Sequence, residues 1–210
     1  MTPESIDLAT GVQRAWHLHF QQGSDPALLY HSSHVSWVAG LVGHQLQEQL
    51  GEEGILDLTL VTLGGLLHDI GRTCVQGIRH GVAGADLLAD KFPRAIALIA
   101  ERHIGGGIPK KEAIQLGLPA KDYLPLSLEE KIVCYADKLV DYEGRTGQSG
   151  QYHLYHAYTY DTAEEECSKL ARKLGPSHPA IERVRLLEEE LWRLNRGRFV
   201  LPQISSKLGD

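Results

Sequence analysis

The sequence predicts an all-α protein, a compact helical bundle with a C-terminal helical extension. Three observations carry that expectation. Apolar residues recur at helical spacing through most of the 210 residues. Strand-like alternation never persists beyond a few positions. Gly, Pro and small polar residues stand where helices of that pattern would start and stop.

The elements follow in order. Asp25-Pro26 reads as an N-cap followed by proline at the first helical position. The helix it opens sets Val35, Val38 and Val42 on one stripe and stops near Gly51. Residues 56–69 are apolar nearly all round, as a buried central helix would be, and Gly71 marks the end. A third helix starts near His80, where Gly81, Ala83, Gly84 and Ala85 would let a neighbouring backbone approach closely. A fourth follows Pro93 and ends before Gly105-Gly106-Gly107, and a short one follows Pro109. Ser127 and Glu130 form a capping box ahead of residues 131–140. Residues 141–160 weaken into Gly, Gln, Tyr and His and read as a loop. Two helices separated by Gly175-Pro176 close the chain, the last with Ile181, Val184, Leu187, Leu191 and Leu194 at helical spacing. The expected division is residues 1–145 (core 27–141) and an extension, 146–210, packing on them.

Composition bounds the function. Hydrophobic residues make up 42% and charged residues 23%, as in an ordinary soluble globular protein. The net charge of -6 argues against a nucleic acid duplex as partner, because such binders carry a basic surface. It leaves room for a small anionic substrate, which needs only a few cations. Cys74, Cys134 and Cys167 are odd in number and far apart, which gives neither a disulfide framework nor a CxxC clip. No stretch is long and apolar enough for a membrane span, and no leader is visible, so a cytoplasmic location is expected.

Several ionisable residues occupy positions where the pattern wants apolar ones. His31 lies four residues before Val35 and seven before Val38, and His103 lies four after Ile99. Asp137 sits four after Val133, and His68-Asp69 ends the most hydrophobic segment. A buried polar group without a partner costs about 2–7 kcal/mol. Imidazoles and carboxylates converging from several helices offset that cost if they share a metal ion. Each alone has a plainer reading, a hydrogen-bonded core histidine or an aspartate paired with a neighbouring cation. With 11 histidines in the chain, the His-Asp dipeptide means little by itself. The set carries the signal.

His31-Ser32-Ser33-His34-Val35, Leu66-Leu67-His68-Asp69-Ile70-Gly71-Arg72, His80-Gly81-Val82-Ala83-Gly84-Ala85, Arg102-His103 and Tyr135-Ala136-Asp137-Lys138-Leu139-Val140 follow one another along the chain. In that order they resemble the HD-domain superfamily of metal-dependent phosphohydrolases, in its HDIG version, and small archaeal-type HDIG proteins in particular. The resemblance implies that His31, His68, Asp69 and Asp137 bind one metal, and that His80 and His103 bind a second with Asp69 bridging. It thus implies one or two divalent transition metals. A mixed nitrogen and oxygen set suits Fe, Mn, Co, Ni or Zn better than Ca.

Asp69 and Arg72 are the expected catalytic residues. Arg79 and Lys138 adjoin ligands and are candidate substrate contacts, since cations there would meet phosphate oxygens; Arg102 and Lys110-Lys111 are weaker ones. His34, one turn beyond His31, is read as packing or facing solvent, with a contact to a ligand residue or to substrate as the alternative. The aromatic stretch at residues 152–158 is a candidate lid or, more often in such segments, a homo-oligomer contact. His17 and His19 read as an exposed pair without partners. The leading expectation is hydrolysis of a phosphate ester or anhydride in a nucleotide or small phosphorylated metabolite. A di-iron oxygenase and a non-catalytic nucleotide-sensing module are the alternatives.

Overall fold

The computed structural model describes residues 5–51, 56–146 and 153–202, with the backbone alone between 142 and 158. Along the chain run α1 (Leu8–Gln21), α2 (Pro26–Leu50), α3 (Leu58–Leu67), α4 (His80–Leu88), α5 (Arg94–Arg102), α6 (Lys110–Gln115) and α7 (Leu128–Leu139). A hairpin of β1 (Val140–Thr146) and β2 (His153–Thr159) follows, then α8 (Glu164–Leu174) and α9 (Pro179–Leu194).

Local chemistry sets the boundaries. The carboxylate of Asp25 accepts from the Leu28 amide at 2.8 Å, with Pro26 in the first turn, and Gly51 ends α2 at φ 64°. Asp57 caps α3 by accepting from the Thr59 and Leu60 amides. Ser127 accepts from the Glu130 amide at 3.2 Å. The Glu130 carboxylate, however, accepts from the Leu126 amide and from Arg102, so the capping box closes on one side only.

α3 lies at the centre, and Val61 and Leu63 through Leu67 are all buried. Two glycines let other elements press against it. A Cβ at Gly65 would lie 2.5 Å from the Ser36 Cα, which marks where α2 and α3 meet backbone to backbone. A Cβ at Gly71 would lie 2.0 Å from the His80 carbonyl oxygen and 2.4 Å from the Gly84 amide. Gly71 therefore does more than end a helix: it seats α4 against the turn that leaves α3. The expected close approach at the small-residue start of α4 is found here.

One core cluster joins α2, α7 and α9, with Val38, Val42, Val133, Leu139, Val184 and Leu191 all fully buried. A second joins α1, α3, α4 and α5 through Leu18, Leu67, Leu88 and Ile96. Each such aliphatic side chain stabilises the fold by roughly 1.5–3 kcal/mol. The last two helices are part of this packing. The Glu188 carboxylate in α9 accepts from the Tyr135 hydroxyl at 3.0 Å and from the Ala163 amide at 2.7 Å.

Two expectations need correction. Residues 141–160 hold an antiparallel hairpin, paired from Val140 with Thr159 to Thr146 with His153, where a loop was expected. The β2 sequence is rich in aromatic residues, which favour pleated backbone, but seven residues per strand are too few for a clear alternation. The candidate lid or oligomer contact at 152–158 lies outside the described side chains. His19 is not exposed. It is 1% exposed, with Nε2 2.8 Å from the Leu66 carbonyl and Nδ1 2.8 Å from the Ser24 hydroxyl. It shares the inner face of α1 with Ala15, one turn earlier, and burial pushes its pKa down. His17 is exposed as expected. Among the described residues, no helix is long and apolar enough to cross a membrane.

Candidate metal centre

All six expected ligands meet. α3 runs into His68 and Asp69 at its C-terminal end, α2 contributes His31 from its second turn, and α7 contributes Asp137 from its last. His80 opens α4 and His103 closes α5. The two oxygens of Asp69 face opposite ways. Oδ1 lies 2.8 Å from His80 Nε2 and 3.3 Å from His103 Nε2. Oδ2 lies 3.7 Å from both His31 Nε2 and His68 Nε2, and accepts from Arg72 Nε at 2.6 Å. Asp137 Oδ1 completes the first side, 3.0 Å from His31 Nε2 and 3.4 Å from His68 Nε2. Two groups, His31/His68/Asp137 and His68/Asp69/His103, bring their ligand atoms within 4.8 Å of one another.

The donor set fits a cation. Nδ1 of His68, His80 and His103 lies 2.8, 2.6 and 2.8 Å from the carbonyl oxygen three residues earlier, at Gly65, Gly77 and Ala100. A carbonyl only accepts, so each Nδ1 carries the proton, and in a neutral ring Nε2 is then a bare lone pair. Yet His80 Nε2 and His103 Nε2 stand 3.0 Å apart, and His68 Nε2 stands 3.3 Å from His31 Nε2. The facing lone pairs of His80 and His103 beside Asp69 repel unless positive charge sits between them. Asp69 Oδ1 is buried and accepts no well-aligned hydrogen bond despite the nearby rings.

The same crowding shifts the pKa values of the cluster. Burial pushes Asp69 up, but the His68 charge and the close approach of the His103 and His80 rings hold it well below the usual carboxylate range. Asp137 is likewise held far down against burial, chiefly by Lys138. Burial lowers His68, but Asp69 and then Asp137 outweigh it and leave it raised. Burial dominates at His103, which falls to about 4. Two carboxylates thus draw positive charge toward one point while a neighbouring ring stays neutral.

The expected substrate contacts fare differently. Arg72 lines the cavity over the cluster, with Nε on Asp69. Lys138 lines it too but is buried, its ammonium bonded to Asp137 Oδ2 at 2.5 Å and to the His103 carbonyl at 3.1 Å. Arg79 lies outside the cavity wall and donates to the Gly117 carbonyl at 3.3 Å. Arg102 forks onto Glu130 within the fold, and Lys110 and Lys111 are exposed on α6. His34 lies 3.0 Å from the Thr159 hydroxyl, facing β2. The cavity encloses about 1020 Å³. Sequence reasoning missed that α8 and α9 form part of its wall, through Glu166, Lys173 and Arg183 among others. The available signal was the spacing of Glu166, Leu170, Lys173 and Leu174, which share one helix face.

Fold and site define a predominantly helical protein with a buried His/Asp cluster of the kind that could hold divalent metal. The HD domain family matches residues 28–140, more than half of the chain, and the chain belongs to that family. It is 48% identical over 137 residues to an uncharacterised protein of Methanocaldococcus jannaschii, covering 65% of this chain and 72% of that protein. It is 37% identical over 173 residues to a tRNA (cytidine(56)-2'-O)-methyltransferase of Thermoplasma volcanium, covering 82% of this chain but 49% of the relative. The methyltransferase of that name in Picrophilus torridus is 54% identical over 85 residues, 40% of this chain and 25% of its own length. The chain thus spans half or less of the length of these two methyltransferases. No solved structure matches.

Proposed function

We propose that the protein is a metal-dependent phosphohydrolase, cleaving a phosphate ester or anhydride in a nucleotide or a related small phosphorylated metabolite. The observation that carries this reading is Asp69, whose two oxygens each face a separate pair of imidazole Nε2 atoms. His31, His68, Asp69 and Asp137 would hold one divalent transition metal, and His80 and His103 a second, with Asp69 between them. Bound there, the metals would acidify a water and draw charge off the phosphoryl oxygens.

The remaining work falls to side chains of the chain itself. Arg72 fixes Asp69 through Nε, which leaves its two terminal amino groups for a phosphoryl oxygen at the cavity. Lys138 acts through Asp137 and the His103 carbonyl, as a positioning residue, and does not reach the substrate. Burial of the cluster excludes water from all but the cavity side, which strengthens every charge interaction inside.

The test joins elemental analysis to a substrate panel. Close to two divalent ions per chain are expected, with phosphate release from at least one mono-, di- or dinucleotide that Asp69→Ala abolishes. No release from any of them by metal-loaded protein would sink the reading. Oxygen consumption without phosphate release would replace it with the oxygenase reading.

A second reading takes its support from the two relatives named as tRNA methyltransferases. In it the phosphoester belongs to an RNA. The net charge of -6 weighs against a broad RNA surface, so small nucleotides come first. Phosphate release from tRNA and not from free nucleotides would reverse that order.

A further inference from the structure

The HD match ends at residue 140, so α8 and α9 lie beyond it, yet both line the cavity. On α8 the lining residues are Glu166, Leu170, Lys173 and Leu174. Their spacing of i, i+4, i+7 and i+8 defines one face of the helix. Glu166 is at the inner end, close enough to Lys138 and Asp137 to feel both charges. Lys173 is seven residues farther along, about 10 Å at the helical rise per residue, where α8 gives way to the start of α9.

The charges along this wall are unevenly matched. Arg72 is paired with Asp69 at 2.6 Å, Lys138 with Asp137 at 2.5 Å and Arg183 with Glu112 at 2.9 Å. Lys173 lines the same cavity and has no carboxylate partner among the described residues. The cavity, about 1020 Å³, is also far larger than a phosphate group and suits a ligand of nucleotide size. An occupant with its reacting phosphoryl group at Asp69 has room to extend along this wall, which carries Lys173.

We propose that this face of α8 selects the substrate, with Lys173 receiving a second anionic group of the molecule whose phosphoryl group is under attack at Asp69. The substrate class is an organic phosphate with a second, separated phosphate, such as a nucleoside 3',5'-bisphosphate. Leu170 lies between the two charged positions and offers an apolar surface to the organic part. The proposal rests on the hydrolase reading for the inner phosphoryl group and adds the outer subsite.

The experiment compares a nucleoside 5'-monophosphate with the corresponding 3',5'-bisphosphate on the metal-loaded full chain. Turnover is followed by kinetics and binding by calorimetry. The native protein is expected to favour the bisphosphate about tenfold, the ratio that 1.4 kcal/mol confers. Lys173→Glu should remove that preference by raising KM for the bisphosphate about tenfold more than for the monophosphate. Arg172→Glu carries the same charge change on a residue exposed beside Glu165, and should leave both substrates unaffected. A Lys173→Glu effect equal on both substrates, or on neither, overturns the subsite while the hydrolase reading stands. A calorimetric preference for the bisphosphate that Lys173→Glu abolishes, with no turnover of either compound, upholds the subsite and removes the hydrolase reading for these two compounds. Binding of neither compound overturns the subsite as well.

Discussion

The HD segment and the C-terminal helices build one cavity by opposite means. Residues 28–140 bring six ionisable side chains to a dry point and match them against one another, with Asp69 and His68 almost without solvent contact. α8 and α9 instead keep an apolar side in the core, through Cys167, Ile181 and Val184, and set charges at the cavity rim. Chemistry on a phosphoryl group gains from low dielectric and fixed partners. Recognition of the rest of a substrate works at a solvated rim, where a changed residue leaves the centre intact. In the proposed reading the two regions divide these demands.

The largest effect tests the inner region. Asp69→Ala should abolish phosphate release and bring the metal content down from near two per chain, measured by elemental analysis. Retained activity would show that the imidazole pairs do not depend on Asp69. Next is Lys138→Met, which leaves Asp137 buried without its ammonium. Breaking a buried pair in this way costs about 3–5 kcal/mol, read as a lower urea midpoint of the metal-free protein. Added divalent metal should restore part of the loss, because it supplies the missing positive charge; an equal loss with and without metal would separate Lys138 from the centre.

In the outer region, Val184→Ala in α9 should cost about 2 kcal/mol while the protein still unfolds in one transition. A first transition that shifts alone would show that α8 and α9 unfold separately from the HD segment. The smallest effect is a pH slope at His19. Burial holds its folded pKa below the usual value of about 6.5. The unfolded chain then binds the proton more readily, so this contribution to stability is present above about pH 6.5 and is lost as pH falls below it. His19→Gln should flatten the dependence of the urea midpoint between about pH 7 and pH 5 relative to the native chain.

Much of the inner region was legible in the sequence. His31 with Val35, His103 with Ile99 and Asp137 with Val133 stand at helical spacings, and the structure brings these ionisable groups together. Helix ends at Asp25-Pro26, Ser127 and Gly51 could be read because their chemistry is local. The outer wall could not, since Glu166 and Lys173 look like any charged residues on an amphipathic helix until tertiary packing turns one face inward. The surroundings of Lys138 were hidden for a related reason. Its place beside Asp137 suggested a substrate contact, but burial commits its ammonium to Asp137 and the His103 carbonyl. The hairpin was hidden by its brevity, and His19 was hidden because the helix that buries it was not recognised.

The carbonyl beneath each of three imidazoles has one more consequence. Gly65, Gly77 and Ala100 carry at most a methyl group, and each lies three residues before the ring it holds. A four-residue piece of chain therefore settles the polarity of each ring without help from the distant core. Swapping one divalent ion for another should then leave the backbone where it is, and the identity of the metal in a living cell would follow supply more than the protein's preference.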